Sequence, residues 1–366
     1  MPVSPDHQHA NGEIDIASLH AQDSTGLLAR IDRAVVWDIP LTTPFRGITR
    51  RDGVLLHGPG GWGEVAPFWD YGLEASAPWL ASGLCQALGN SLLPRYRETI
   101  PVNVTVPEVG AQDASDLVRA SGARTAKVKV SGSSDKRSAD LERLEAVRSA
   151  LGRSGKVRID VNGAWDLDTA RENLPLMDRA AGGLEYAEQP CATVYDLADL
   201  RRAVDVPIAA DESIRLSANP LEIVHRRAAD VAILKVAPLG GVHRALDMAE
   251  RLGLPAVVSS ALDTSVGIMA GATLAFSLPS LSHACGLGTT RLLTQDVAEP
   301  SVRPSNGTLR LDAAAPVSER LLNEVKAGPY LTKHWQTRLL HLAGALHARR
   351  QREARDPSRA VAGLPL

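Results

Sequence analysis

From Val102 onward the chain alternates short β-branched runs with helix-like stretches, and this rhythm restricts it to very few folds. The runs are Val102–Val106, Ala126–Val130, Val157–Val161, Leu184–Glu188, Pro207–Asp211, Val231–Lys235, Pro255–Ser259 and Leu281–Gly286. Helical periodicity fills the gaps at Ala139–Leu151, Asp168–Ala180, Tyr195–Ala203, Leu221–Arg227, Gly241–Leu252 and Val266–Phe276. Strand, helix and strand in repeated order require right-handed crossovers and a parallel sheet. Eight such strands predict an α/β fold closed into a barrel.

The flanking segments have a different texture. Residues 1–27 read as a flexible extension. Residues 28–101 read as an α+β unit, with strands at Ala34–Ile39, Gly53–His57 and Trp62–Ala66 around the Gly-rich turn Gly58–Gly63, then a helix over Ala75–Leu93. The barrel takes residues 102–300. Residues 301–330 are expected to return to the α+β unit, and 331–366 to form an Arg-rich basic helix whose polar face is solvated and whose end frays.

Composition removes several classes of function. Hydrophobic residues are 44% and charged residues 22%, an ordinary globular balance. The net charge of −2 supplies no basic field for nucleic acid or an anionic membrane. Cys85, Cys191 and Cys285 are isolated, with no CxxC, which argues against a disulfide framework or zinc site and suits the reducing cytoplasm. The first 27 residues lack the apolar run of a signal peptide. The stretch Thr264–Thr290 has no Asp, Glu, Lys or Arg. Its Gly, Ser and Pro content and His283 mark a buried helix and strand rather than a membrane span.

Charged residues end five of the strands in succession. Lys127 and Lys129 stand in the first, then Asp160 with Asn162 behind it, Glu188, Asp211 followed by Glu212, and Lys235. The intervals from Lys129 are 31, 28, 23 and 24 residues, one βα unit each, so these side chains converge on the rim where barrel active sites lie. Each piece alone has a plain structural reading: KxK as strand decoration, Asp211-Glu212-Ser213 as an N-cap, Lys235 as a snorkelling side chain. Five in succession do not. Asp160, Glu188 and Asp211 make a hard oxygen set suited to Mg²⁺, with Mn²⁺ able to substitute. Without a cation they would repel one another and take up protons. A lysine at its ordinary pKa of about 10.4 is a poor base. A second ammonium and a divalent cation close by lower that value, so Lys129 can act as base, and the metal stabilises the enolate left by proton loss beside a carboxylate.

On Lys127-Val128-Lys129, Asp160-Val161-Asn162-Gly163, Glu188-Gln189-Pro190, Asp211-Glu212-Ser213 and Lys235-Val236, the chain resembles the enolase superfamily, in its muconate lactonizing enzyme-like branch. The resemblance runs from about residue 29 to about 325. It implies a modified TIM barrel, (β/α)7β, with an α+β capping domain. It also implies Mg²⁺ on Asp160, Glu188 and Asp211, and acid/base lysines at Lys129 and Lys235. Within the branch, Phe45-Arg46-Gly47-Ile48-Thr49, Gly60-Gly61-Trp62-Gly63-Glu64 and Trp79-Leu80-Ala81-Ser82 resemble the actinobacterial-type o-succinylbenzoate synthases. That family implies a lyase of menaquinone synthesis that dehydrates a succinyl-hydroxycyclohexadiene carboxylate. One lysine, matching Lys129, takes the α-proton and then protonates the departing hydroxyl, while the lysine matching Lys235 stays charged on the opposite face.

Specificity is expected from other residues. Lys127, Asn162 and Arg46 are candidate substrate contacts, and loops near Phe45–Arg46 and Pro67–Phe68 are expected to close over the site. Ser259, Ser260, Gly286, Leu287 and Gly288 end later strands, where hydroxyls or backbone N–H groups can hold a succinyl carboxylate. The Gly-rich segment reads equally as a tight turn, and Arg46 equally as a surface charge. A racemase or epimerase of N-acylated amino acids or dipeptides would use the same two lysines. The Asp-x-Asp typical of dipeptide epimerases is replaced here by Gly286-Leu287-Gly288-Thr289, which disfavours the dipeptide version. A non-catalytic scaffold would have lost a ligand or a lysine, and none is lost. No P-loop, GxGxxG or nucleophile elbow competes. The expected partner is a small-molecule carboxylate, not nucleic acid or membrane, for a monomer or homo-oligomer.

Overall fold

The computed structural model describes residues 12–89, 93–310 and 316–355. The chain is already ordered at Glu13, which bridges to Val35. Helix α1 (Ile16–Gln22) follows, capped by Asp15, whose carboxylate accepts from the amides of Ala17 and Ser18. Ile14, Leu19 and Leu28 are buried in the core of the small domain. The flexible-extension reading is therefore corrected for residues 12–27: a few spaced apolar side chains suffice to dock a polar segment. Residues 1–11 lie outside the described residues.

Strands β1 (Arg33–Phe45), β2 (Ile48–Gly58) and β3 (Gly61–Val65) form an antiparallel meander, and helix α2 (Leu73–Ala87) packs on it. The Gly-rich sequence is explained by that contact. A Cβ on Gly63 would lie 2.0 Å from the Gly83 carbonyl oxygen, so only glycine lets β3 and α2 approach this closely. The helix expected to reach Leu93 ends at Ala87, and residues 90–92 lie outside the described residues.

After β4 (Thr99–Pro101) come β5 (Val104–Val106), α3 (Ala111–Ser121), β6 (Thr125–Lys129), α4 (Arg137–Leu151), β7 (Lys156–Asp160) and α5 (Leu167–Ala180). The alternation continues through β8 (Leu184–Glu188), α6 (Val194–Ala203), β9 (Ile208–Ala210), and the short α7 (Glu212–Arg215) and α8 (Glu222–His225). It ends with β10 (Val231–Lys235), the short α9 (Val236–Leu239), α10 (Val242–Leu252), β11 (Ala256–Ser259) and α11 (Ser265–Ser277). Strands β5 to β11 form a seven-stranded parallel sheet in sequential order.

The eighth expected strand, Leu281–Gly286, is corrected. Only its last two residues pair: Cys285 bridges to Val102 beside β5, and Gly286 bridges to Ser259 of β11. Pro279, Ser280 and Ser282 keep the preceding chain exposed. Those two bridges close the curled sheet into a ring. The stretch Thr264–Thr290 holds the buried helix α11, and among the described residues no helix is long and apolar enough to cross a membrane.

Beyond the barrel, β12 (Thr308–Arg310) pairs with β4, followed by α12 (Glu319–Glu324) and the long α13 (Pro329–Arg355). Val35, Trp37, Ile39 and Leu55 of the small domain cluster with Val266, Leu293, Leu322 and Val325, which joins it to the barrel and to the returning chain. In α13, Thr332, Trp335, Leu339, Leu342, Ala343 and Leu346 are buried at helical spacing. The basic C-terminal helix thus belongs to the capping domain's core, and the tail expected to fray, residues 356–366, lies outside the described residues.

Candidate active site

Residues two apart on a strand share one face. In β6 this puts Lys127 and Lys129 together inside the barrel. The register Lys129↔Asp160↔Glu188 then brings three strand ends to one level. Asp211 directly follows β9, and Lys235 closes β10. Lys127 Nζ donates to Asp160 Oδ2 at 2.9 Å and to Glu188 Oε1 at 2.8 Å. Lys129 Nζ donates to Asp160 Oδ2 at 2.6 Å and to Asn162 Oδ1 at 2.5 Å. Lys235 Nζ donates to Asp211 Oδ2 at 2.6 Å, and Arg215 Nε to Asp211 Oδ1 at 2.9 Å.

All these groups are withdrawn from water, so their neighbours decide their protonation. Burial opposes the charge on Lys127, but Asp160 and Glu188 outweigh it and hold its pKa well above the ordinary lysine value. On Lys129 burial prevails, helped by the Lys127 ammonium against the pull of Asp160, and its pKa falls. Burial is thus a larger cause than the neighbouring ammonium named from sequence. Burial and then the charge of Asp160 push Glu188 up to about 7. Burial also opposes ionisation of Asp160 and Asp211. Lys127 and Lys129 outweigh it at Asp160, and Arg215 and Lys235 at Asp211, so both stay low. A lysine of lowered pKa beside a firmly protonated one suits proton transfer.

The capping domain supplies the roof. Phe45, Arg46, Phe68, Tyr71 and Trp79 line one cavity with Lys127, Lys129, Asp160, Asn162, Lys235, Ser259, Ser260 and Gly286. Arg46 occupies the left-handed region at φ 52° and lies 4.5 Å over the Phe68 ring, donating to the Tyr71 hydroxyl at 3.2 Å. The Ser260 hydroxyl hydrogen-bonds the Gly286 carbonyl at 2.6 Å and Thr289 Oγ1 at 2.8 Å, which secures the wall there.

Two expected substrate contacts are corrected. Leu287 does not line the cavity: its side chain is fully buried in the barrel core, on the face opposite Gly286, which leaves only its backbone to face the substrate side. Gly288 lines a separate cleft with Val102, Asn103 and Pro304. Sequence reading missed Tyr71, Arg215 and Thr289. Arg215 Nη1 donates to the Tyr71 hydroxyl at 2.6 Å and Nη2 to Glu212 Oε1 at 2.7 Å, while Asn162 Nδ2 donates to the same oxygen at 3.0 Å. A signal for Arg215 existed, since it follows Glu212 by three residues and Asp211 by four, the spacing of helical ion pairs. Tyr71 and Thr289 carried none.

Hard oxygen donors at three adjacent strand ends are the right chemistry for a divalent cation. As they stand, no three His, Cys, Asp or Glu side chains among the described residues converge closely enough to chelate an ion. Ammonium groups lie on oxygens of all three carboxylates instead.

Residues 110–316 match the enolase C-terminal domain-like family and residues 36–87 the enolase N-terminal domain-like family. A curated protein from Thermobifida fusca named o-succinylbenzoate synthase is 52% identical over 305 residues, 82% of this chain and 93% of that protein. One of the same name from Mycobacterium tuberculosis is 47% identical over 86% of this chain and 94% of its own. Among solved structures, the N-succinyl Arg/Lys racemase from Bacillus cereus superposes with a TM-score of 0.68 at 21% identity, over 80% of this chain and 96% of that one. The muconate lactonizing enzyme from Pseudomonas putida gives 0.67 at 21%, over 81% and 99%. At those identities the superpositions show the fold.

Proposed function

This chain belongs to the enolase superfamily, and we propose that it is a lyase of that superfamily that dehydrates a succinyl-hydroxycyclohexadiene carboxylate to o-succinylbenzoate, a step of menaquinone synthesis. The observation that carries this reading is the pair Lys129 and Lys235, with three strands between them around the barrel, both lining the same cavity. The relatives at 47–52% identity, all named for this activity, support it.

Lys129 takes the proton from the carbon beside the substrate carboxylate, its lowered pKa making it the available base. The ring hydroxyl then leaves with that proton as water, and the electrons of the broken C–H bond form the ring's new double bond as the C–O bond breaks. Lys235, paired with Asp211, presents its ammonium to the opposite face. Asp160, Glu188 and Asp211 would hold Mg²⁺ or Mn²⁺. Their oxygens are hard donors on three adjacent strand ends, and burial together with the neighbouring Asp160 charge leaves Glu188 with a raised pKa that a cation would offset. Bound there, the ion supplies Lewis-acid neutralisation of the substrate carboxylate. Ser259, Gly286 and Arg46, which line the cavity, would read the succinyl end. The site is assigned to the cytoplasm, where the buried thiols of Cys85, Cys191 and Cys285 stay reduced.

A second reading, racemisation of N-acylated amino acids, would use the same two lysines, and the names of the relatives favour dehydration over it. Incubation with the cyclohexadiene carboxylate and Mg²⁺, followed by ultraviolet absorbance of the aromatic product, tests the first reading. Rapid turnover, abolished by EDTA and restored by Mg²⁺ or Mn²⁺, is expected. No turnover by the folded, metal-replete protein rejects it, as does undiminished turnover after EDTA.

A further inference from the structure

Helix α13 lies outside both matched family segments, yet its inner face reaches the back of the active-site roof. Arg338 is 7% exposed. Its guanidinium donates to the carbonyl oxygens of Pro67 at 3.0 Å and Phe68 at 2.7 Å, and to the Ser76 hydroxyl at 3.4 Å. It lies 4.2 Å from the centre of the Trp69 ring and 5.0 Å from that of Trp335. The two indole N–H groups donate to one oxygen of Asp52, at 2.8 Å and 2.7 Å.

The front of the same peptide faces the cavity. Phe68 contributes its ring to the roof, edge-on to Trp79 at 6.2 Å and to Tyr71 at 5.9 Å, with Arg46 over it. At its far end α13 is tied to the barrel, where Arg244 of α10 pairs with Glu353 at 2.6 Å. Burying a guanidinium is costly, and burial pulls the pKa of Arg338 down to about 10. An aliphatic side chain would fill this space at less cost. What it could not do is engage two successive backbone carbonyls and so fix the plane of the Phe68 peptide.

We propose that Arg338 is a positioning residue through which the C-terminal helix holds the Pro67–Tyr71 segment in its substrate-ready arrangement. This rests on reading the cavity beneath as the substrate site. Arg338 touches neither substrate nor the lysines, so its effect falls on how often the roof is competent. If the competent fraction drops, apparent affinity falls in proportion while turnover at saturation is kept.

The test uses the full chain, with Arg338→Met and Arg338→Lys. Arg338→Met is expected to raise KM roughly tenfold or more, with kcat within about threefold of the parent. Amide hydrogen exchange at Phe68–Gly72 should accelerate, and Mn²⁺ affinity measured by electron paramagnetic resonance should not change. Arg338→Lys keeps the charge but reaches fewer carbonyls, so its KM and exchange rates should fall between the two. It carries the test alone if the methionine variant fails to fold. Unchanged exchange in this segment, or a loss confined to kcat, overturns the proposal. Failure of the parent protein to turn over the cyclohexadiene carboxylate rejects the functional reading instead, and the exchange measurement still decides on Arg338.

Discussion

Lys127 and Lys129 occupy one face of one strand, two residues apart, yet their surroundings act on them in opposite directions. Lys127 is clamped between Asp160 and Glu188, while Lys129 reaches the cavity with burial lowering its pKa. Replacing Lys129 with Ala should lower kcat by ~10²–10⁴-fold, the usual share of a general base. Lys235→Arg should keep more dehydration activity than Lys129→Arg, because at Lys235 the charge matters more than the proton. Equal and total loss in steady-state assays of both Arg variants would favour racemisation. One layer deeper, the fully buried Arg158 pairs with Glu185 at 2.6 Å. Burial opposes the charge on Glu185, but His283 and Arg158 outweigh it and bring its pKa to about 2. That lies below the unfolded carboxyl value of about 4.3, so the stabilisation is complete above this value and is lost as pH falls toward 2. Urea midpoints measured from pH 6 to pH 3 should decline accordingly. Glu185→Gln should flatten that decline and cost ~3–5 kcal/mol at neutral pH, because Arg158 is left buried without its partner.

At the scale of elements, two glycines predict opposite outcomes for the same substitution. Gly63→Ala drives a methyl into the Gly83 carbonyl and must separate β3 from α2, at ~1–3 kcal/mol or more. Gly344 is exposed inside α13 with nothing near its missing Cβ, so Gly344→Ala should stabilise by ~0.5–1 kcal/mol. Thermal melts of the two variants check both signs: an unchanged or raised midpoint for Gly63→Ala would mean that β3 and α2 can move apart freely, and a lowered one for Gly344→Ala that the helix gains nothing from a methyl there. Glu64 shows why the same Gly-rich segment ends in a carboxylate. It leaves β3, crosses to the barrel and accepts the amides of Thr264 at 3.2 Å and Gly267 at 3.0 Å at the start of α11. Burial and the nearby Asp263 push its pKa up to about 8, against the pull of the Thr264 hydrogen bonds, so what this carboxyl supplies is hydrogen-bond acceptance at the helix start.

Over the whole molecule, the capping domain is assembled from both ends of the chain. Leu19 and Leu28 from one end and Trp335, Leu339 and Leu342 from the other enclose Leu56, Leu80 and Leu84. Leu339 is fully buried, so Leu339→Ala should cost ~2–5 kcal/mol in equilibrium urea unfolding. A cost near zero would mean that the helix is appended to the domain rather than part of its core.

What the sequence determined alone is the barrel and the order of charges around its rim. Parallel topology sends every strand's C-terminal end to one side, so Lys129, Asp160, Glu188, Asp211 and Lys235 meet whatever the details of packing. Periodicity carries that information locally, one βα unit at a time. Tertiary structure decided the rest. Contacts such as Arg215 with Tyr71, or Arg338 with Phe68, join residues 144 and 270 positions apart, and no local pattern encodes which stripe meets which. Leu287 turned away from the cavity because its neighbour Gly286 pairs with Ser259, and that pairing exists only once the ring is closed. The docking of residues 12–28 and of α13 was hidden for the same reason: each carries a modest apolar stripe, and only burial against the other made it core.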